Sequence, residues 1–237
     1  MDRIRNAYGV HLQHTTLSTE VLRFLTAGMI CVSVEPGTGQ VYILLGQETR
    51  FYDMRNENGK WCDFGGTVEH GEDEMYAAAR EFAEESMCVV QLFDTEVPLC
   101  TAEYISEVHR LLQNQDYLLK VSIVLPPEDV EERVRLYYIK EVPWQPAVVA
   151  RFAQTREVLL QWRDTPNTTT LPEYMREHPG LTAQGINPHF IEKLRVQWWS
   201  ISQLKEIVHN RGWYRNQQFR RGFLPVLKII IAKLSNL

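Results

Sequence analysis

Residues 66–88 read GTVEHGEDEMYAAAREFAEESMC and hold six glutamates and one aspartate. Helical spacing over 74–87 gathers Glu81, Glu84 and Glu85 on one side, because positions i, i+3 and i+4 fall within about a 100° arc. Met75, Ala78, Ala79, Phe82 and Ser86 take a different face. Like charges at i,i+4 destabilise a helix by ~0.2–0.5 kcal/mol per pair. Bound Mg²⁺ or Mn²⁺ offsets that repulsion, since hard cations prefer carboxylate oxygen and several carboxylates can hold more than one ion. A solvated acidic face explains the crowding but not the fixed spacing.

The approach to this helix suits a ligand. Gly65-Gly66 gives a backbone that can lie close to a bound group, and Gly71 permits a further turn. Glu72 stands eight residues before Arg80, in the loop ahead of the helix. An ion pair between them staples loop to helix, which is a structural role.

The elements that must hold this segment can be read on either side of it. MICVSV, 29–34, and VYILLG, 41–46, form a hairpin signal around Pro36-Gly37-Thr38-Gly39. Residues 1–26 start polar and then read as a short helix that Thr26-Ala27-Gly28 breaks. Asn58-Gly59 marks a turn. VVQLF, 89–93, reads as a strand, and 101–112 fits strand or helix. DYLLKVSIVLPP, 116–127, is a strand, and 131–142 alternates weakly as another. Residues 147–163 look helical, with Val148, Phe152, Val158, Leu159 and Trp162 as the apolar set. The proline- and threonine-rich stretch 164–189 reads as a loop-rich insertion. KLRVQWWSI, 193–201, is the last strand. A helix follows at 202–210 with Ser202 as a cap, and another at 223–234 with Pro225 in its first turn.

The 237 residues, 44% apolar and 23% charged, can bury a sizeable core. The net charge of −5 excludes a bulk positive field for nucleic acid. The strongest basic clusters are Arg211–Arg215 and Arg220–Arg221, which read as solvated surface. The four cysteines form no C-x-x-C pair, and Cys31 and Cys88 look like core thiols. No apolar stretch reaches the ~18 residues of a membrane span, so no membrane partner is expected. The first residues lack a secretory h-region. A reducing, cytoplasmic compartment is the expectation, where the sequon at Asn167 carries no meaning.

The run from Gly66 through Glu72, Arg80, Glu81, Phe82, Glu84 and Glu85 has the form G-x5-E-x7-R-E-apolar-x-E-E. It resembles the Nudix box of the Nudix hydrolase family. The family continues with x-glycine-apolar, and Met87 stands where the glycine would be. A side chain there disfavours the left-handed helix cap, so a distorted helix end is expected. The lead-in WCDFGG, 61–66, resembles the family's tryptophan–x–leucine–proline–glycine–glycine, with Asp63 and Phe64 in place of leucine–proline. The resemblance implies an α/β fold: an α/β/α sandwich around a mixed sheet, here with extra helices and an insertion. Residues 1–26 would be an N-terminal extension. Residues 27–237 would form the hydrolase domain, with an insertion at about 130–188 and a C-terminal helix at about 223–234.

The activity implied is metal-dependent hydrolysis of a nucleoside diphosphate linked to another moiety. Residue by residue, the resemblance makes Glu81, Glu84 and Glu85 ligands of Mg²⁺ or Mn²⁺, with the Gly66 carbonyl as an addition. Glu84 also counts as catalytic, and Glu72 and Arg80 brace the loop. Family members draw a general base from different places. Glu192, just before the last strand, is the first candidate here, with Glu103, Glu107 and Glu132 as alternatives. His70 and His109 read as polar surface. For a base, Trp61 and Trp199 are stacking candidates, along with Phe51, Tyr52 and Trp198. Trp198 and Trp199 face opposite sides of a strand, so only one lines a given pocket. The expected partner is a nucleotide-type small molecule. The runner-up is mRNA decapping, with the insertion and the basic cluster contacting capped RNA. A third reading is a catalytically weak nucleotide-binding module, against which the retained glutamates weigh. The oligomeric state is not legible.

Overall fold

The structure, a computed structural model, describes residues 25–49, 59–92, 102–125, 133–164, 181–182, 185–209, 218–220 and 222–235. The expected helix within 1–26 lies almost wholly outside these residues. So do Phe51, Tyr52, Asn58, Cys100, Glu132, Asn167, Arg211–Arg215 and Arg221.

Strand β1, Leu25–Val34, is the centre of a mixed sheet. Its run LTAGMICVSV is buried on both faces, as a central strand requires. It pairs in parallel with β6, Arg133–Glu141, and in antiparallel with β2, Val41–Glu48. Its first half pairs instead with β4, Phe64–Thr67, which follows the short β3, Trp61–Cys62. The strand begins at Leu25, so the expected break at 26–28 falls inside it. Gly28 is there for contact: a Cβ would lie 2.6 Å from the Phe64 carbonyl oxygen. Outside β6 lies β5, Leu119–Leu125, and outside β2 lies β9, Lys193–Ser200.

Helix α1, Glu74–Ser86, packs on one face with α2, Ala102–Gln113, and α3, Val148–Asp164. Phe64, Phe82, Val108, Phe152 and Trp198 fill this side. Helices α4, Ile201–His209, and α5, Leu224–Leu234, cover the other. Ile30, Val32, Ile43 and Leu45 meet Val226, Leu227 and Ile230 there. The result is the expected α/β/α sandwich. Between α3 and β9 lie the two-residue strands β7, Leu181–Thr182, and β8, Gly185–Ile186, and a 3-10 turn, Pro188–Ile191. Among the described residues, no helix is long and apolar enough to cross a membrane.

Several expectations change. The ambiguous 101–112 is helical because Tyr104, Val108 and Leu112, at four-residue spacing, are the buried set. Residues 89–92 form no strand. The Gln145 side chain bonds both main-chain groups of Gln91, at 2.8 and 2.6 Å, and so takes the place of a ladder partner. Within the stretch expected as an insertion, β6 is a strand of the central sheet and α3 packs on its core. The cap of α4 is Ser200 rather than Ser202: its Oγ accepts from the Gln203 N–H at 3.2 Å.

Candidate active site

Helix α1 starts cleanly. The Asp73 carboxylate accepts from the Tyr76 N–H at 2.7 Å, and Glu74 complements the positive helix end. His109 of α2 reaches Asp73 at 3.2 Å and ties the two helices together. The helix ends in a left-handed cap after all, with Met87 and Cys88 both at φ 53°. The Cys88 N–H returns to the Ala83 carbonyl at 3.0 Å. Met87 is fully buried, and its packing offsets the strain of that conformation. The expected distortion is therefore absent.

Arg80 gathers the loop and the glutamates. Its Nε and Nη2 donate to the two Glu72 oxygens at 2.7 and 3.0 Å. Nη2 also donates to the Thr67 carbonyl at 3.1 Å. Nη1 donates to Glu81 at 2.9 Å and to Glu84 at 3.2 Å. Burial works to raise the Glu72 carboxyl, but the Arg80 bonds outweigh it and hold it below its ordinary value. Burial pushes Glu81 up to about 7, against the pull of Arg80, with Glu84 and Glu192 adding to the rise. Burial also raises Glu84. Glu81 lies against the bare Cα of Gly66, where a Cβ would collide with its carboxylate.

Glu85 is held differently. Its Oε2 accepts from the Gly65 N–H at 2.7 Å, and its Oε1 stands 3.0 Å from Lys193 Nζ. Lys193 is 1% exposed and also donates to Glu48 at 2.8 Å and to Cys62 Sγ at 3.0 Å. Burial opposes its charge, but the surrounding Cys62, Glu48, Glu85 and Asp63 hold it protonated well above the usual lysine range. Arg220 joins from the C-terminal segment, donating to Glu48 at 3.0 Å.

Glu192 caps the 3-10 turn, within electrostatic reach of Glu81 and Glu84. Its Oε1 lies 2.9 Å from His189 Nδ1. The sequence reading overlooked His189. Asn187-Pro188 could have found it, because Asn187 Oδ1 accepts from the His189 N–H at 3.1 Å and starts the turn. That turn puts His189 and Glu192 three residues apart on one side. Among the alternative bases, Glu107 pairs with Arg110 at 2.7 Å on the outside of α2. Glu103 is exposed on the same helix.

Trp61 and Trp199 meet edge to face, with ring centroids 5.3 Å apart. They lie on the α5 side of the sheet, whereas Phe64 and Phe82 lie on the α1 side. With Gln47, Arg195, Gln197 and Gln218 they line an open groove of about 360 Å³. The Arg195 guanidinium sits 5.2 Å from the Trp61 ring. Trp198 points the other way, and its indole N–H donates to the Gln145 carbonyl at 3.0 Å. The structure thus gathers Glu72, Arg80, Glu81, Glu84, Glu85, Gly66 and Glu192, and sets the Trp61–Trp199 pair apart.

Glu81 and Glu84 suit a divalent ion by donor type, and Glu81 lies against Gly66. Among the described residues, no three His, Cys, Asp or Glu side chains converge as a ready-made metal cluster. Arg80 pairs with Glu81 and Glu84, while Glu85 pairs with Lys193 and the Gly65 N–H.

A family model described as the NUDIX domain matches residues 24–162, more than half of the chain. No curated protein matches the sequence. Among solved structures, the chain is similar to RenU, a Nudix hydrolase from M. smegmatis, with 12% identity. That match covers 91% of this chain and 88% of the other, at a TM-score of 0.44. A C. elegans Ap4A hydrolase binary complex has 12% identity, coverage of 90% and 99%, and a TM-score of 0.42. The NUDIX domain of Shewanella oneidensis NrtR complexed with ADP ribose has 11%, 90% and 88%, and 0.43.

Proposed function

The chain belongs to the Nudix family and is a Nudix-type pyrophosphohydrolase, and we propose that it cuts a phosphoanhydride in a nucleoside diphosphate linked to another moiety. Nudix enzymes generally use Mg²⁺ or Mn²⁺. Here Glu81, Glu84, Glu85 and the Gly66 carbonyl would hold it. When bound, the metal neutralises the polyanion and lowers the pKa of water.

The chain's own groups supply the rest. Glu192 takes the proton of the attacking water on its carboxylate, and His189, 2.9 Å away, orients that carboxylate. Arg80, bonded to both Glu72 oxygens, keeps the Gly66–Glu72 loop fixed against α1. One observation carries the reading. Glu81, half-buried against Gly66, and Glu84, buried, are raised carboxylates, with the further acid Glu192 in electrostatic reach. Trp61 and Trp199, on the α5 side of the sheet, stay outside this proposal.

The test is Mg²⁺- or Mn²⁺-dependent formation of the two phosphorylated cleavage fragments, separated by chromatography, across a panel that includes ADP-ribose, Ap4A, free cap analogue and capped RNA. We expect a chelator to abolish turnover and Glu85→Gln to lower it by ~10²-fold or more. Unchanged turnover in Glu85→Gln refutes this mechanism. Cleavage of capped RNA without cleavage of free cap analogue selects mRNA decapping instead. Nucleotide binding with no turnover selects the binding module.

A further inference from the structure

Lys193 is a fully enclosed cation near the glutamate helix, 1% exposed. An irregularity in β9 puts it there. Gln47 pairs with Arg195 and Glu48 with Lys193, so Leu194 is an extra residue in the ladder. Such a bulge reverses which side chains face which side. Leu194 is left 46% exposed, and Lys193 turns inward to the face of Gly46, Glu48 and α1. Its stem crosses the bare Cα of Gly46, where a Cβ would meet Lys193 Cδ at 2.9 Å. Its ammonium donates to Glu48 at 2.8 Å and to Cys62 Sγ at 3.0 Å, and it forms an ion pair with Glu85 Oε1 at 3.0 Å.

A carboxylate with one oxygen held by an ammonium and the other by a main-chain N–H cannot rotate about its terminal bond without breaking a charge-assisted hydrogen bond. We propose that Lys193 is a positioning residue for Glu85: it clamps Oε1 while Gly65 clamps Oε2, and so fixes the direction in which Glu85 meets a divalent ion. The proposal rests on the metal-dependent reading above. Its core is the clamp itself, which exists without metal. Groups that orient a metal ligand commonly change metal affinity by ~10–100-fold when removed.

The test compares Lys193→Met, Glu48→Gln and the double variant with wild type, each checked for folding by its thermal melt. Two readouts are taken. One is the Gly65 amide proton in metal-free protein, by NMR shift and exchange rate. The other is Mn²⁺ affinity, from the electron paramagnetic resonance signal of free Mn²⁺. In Lys193→Met we expect the Gly65 proton to move upfield and exchange faster, with Mn²⁺ affinity falling about tenfold or more. The double variant, which removes a cation and an anion together, should behave as Lys193→Met does. Glu48→Gln, which leaves Lys193 on Glu85, should stay within about threefold of wild type. A folded double variant that keeps the wild-type Gly65 signal and Mn²⁺ affinity overturns the proposal. So does Glu48→Gln losing as much as the double, because charge balance alone would then explain the effect. Wild type that binds no Mn²⁺ refutes the functional reading, and the Gly65 signal still decides the clamp.

Discussion

Lys193 lies across Gly46, with its Cγ, Cδ and Cε 3.1, 2.9 and 3.1 Å from where a Cβ would be. The two residues sit on neighbouring strands, and the absence of one methyl group lets a buried lysine through. Gly46→Ala should therefore destabilise the fold by about 1–3 kcal/mol, the usual cost of overpacking. Chemical denaturation checks this. A loss below the measurement error would mean that the lysine stem moves aside freely.

Arg80 has five hydrogen bonds, four of them to glutamates. Arg80→Ala leaves Glu72, Glu81 and Glu84 without that counter-charge in a partly closed site. We expect a loss of about 3 kcal/mol, in line with breaking one side of a buried ion pair. Arg80→Lys should recover only part of it, since a point charge cannot repeat the two-pronged contact with Glu72. Equal stability of Arg80→Ala and wild type in urea would contradict this account.

Met87 stands where the family has glycine, and restoring that glycine should not help. Relief of the left-handed conformation gains about 1 kcal/mol, whereas removing a fully buried methionine side chain loses about 2–5. Met87→Gly should thus unfold at lower denaturant than wild type. A rise in the midpoint would show that strain, not packing, governs the helix end.

In chelator, Glu81 should make the fold less stable as pH rises. Its carboxyl moves from an ordinary 4.5 to about 7 on folding. The folded chain therefore holds the proton more tightly than the unfolded chain. That advantage is complete below 4.5 and is lost as pH climbs through 7, about 1–3 kcal/mol across the window. Glu81→Gln should flatten this part of the stability–pH curve. Added Mn²⁺ should restore stability at the alkaline end, because an ion favours the deprotonated carboxylate. An identical slope in wild type and Glu81→Gln would remove Glu81 as the cause.

The acidic helix could be read from the chain because its chemistry is local. Glu72, Arg80, Glu81, Glu84 and Glu85 lie within fourteen residues, and the period of a helix decides which of them meet. The alternating strands around it were legible for the same reason. The Lys193 clamp was not, since Glu48 and Lys193 are 145 residues apart and a bulge inverts the alternation a reader would count. The strand expected at 89–93, absent over the described residues 89–92, has a similar origin. VVQLF has strand-forming residues, but a distant glutamine supplies the hydrogen bonds that a neighbouring strand would have given. Met87 misled in the other direction, because its buried packing lies outside what a propensity describes.

Arg220 grips Glu48, Glu48 grips Lys193, and Lys193 grips Glu85. Phe219 is bridged to Trp61, and the main chain of Gln218 and Arg220 brackets that tryptophan. This C-terminal segment is thus geared to the glutamate helix through a train of alternating charges. Anyone trimming the C-terminus for convenience would be disengaging the first cog.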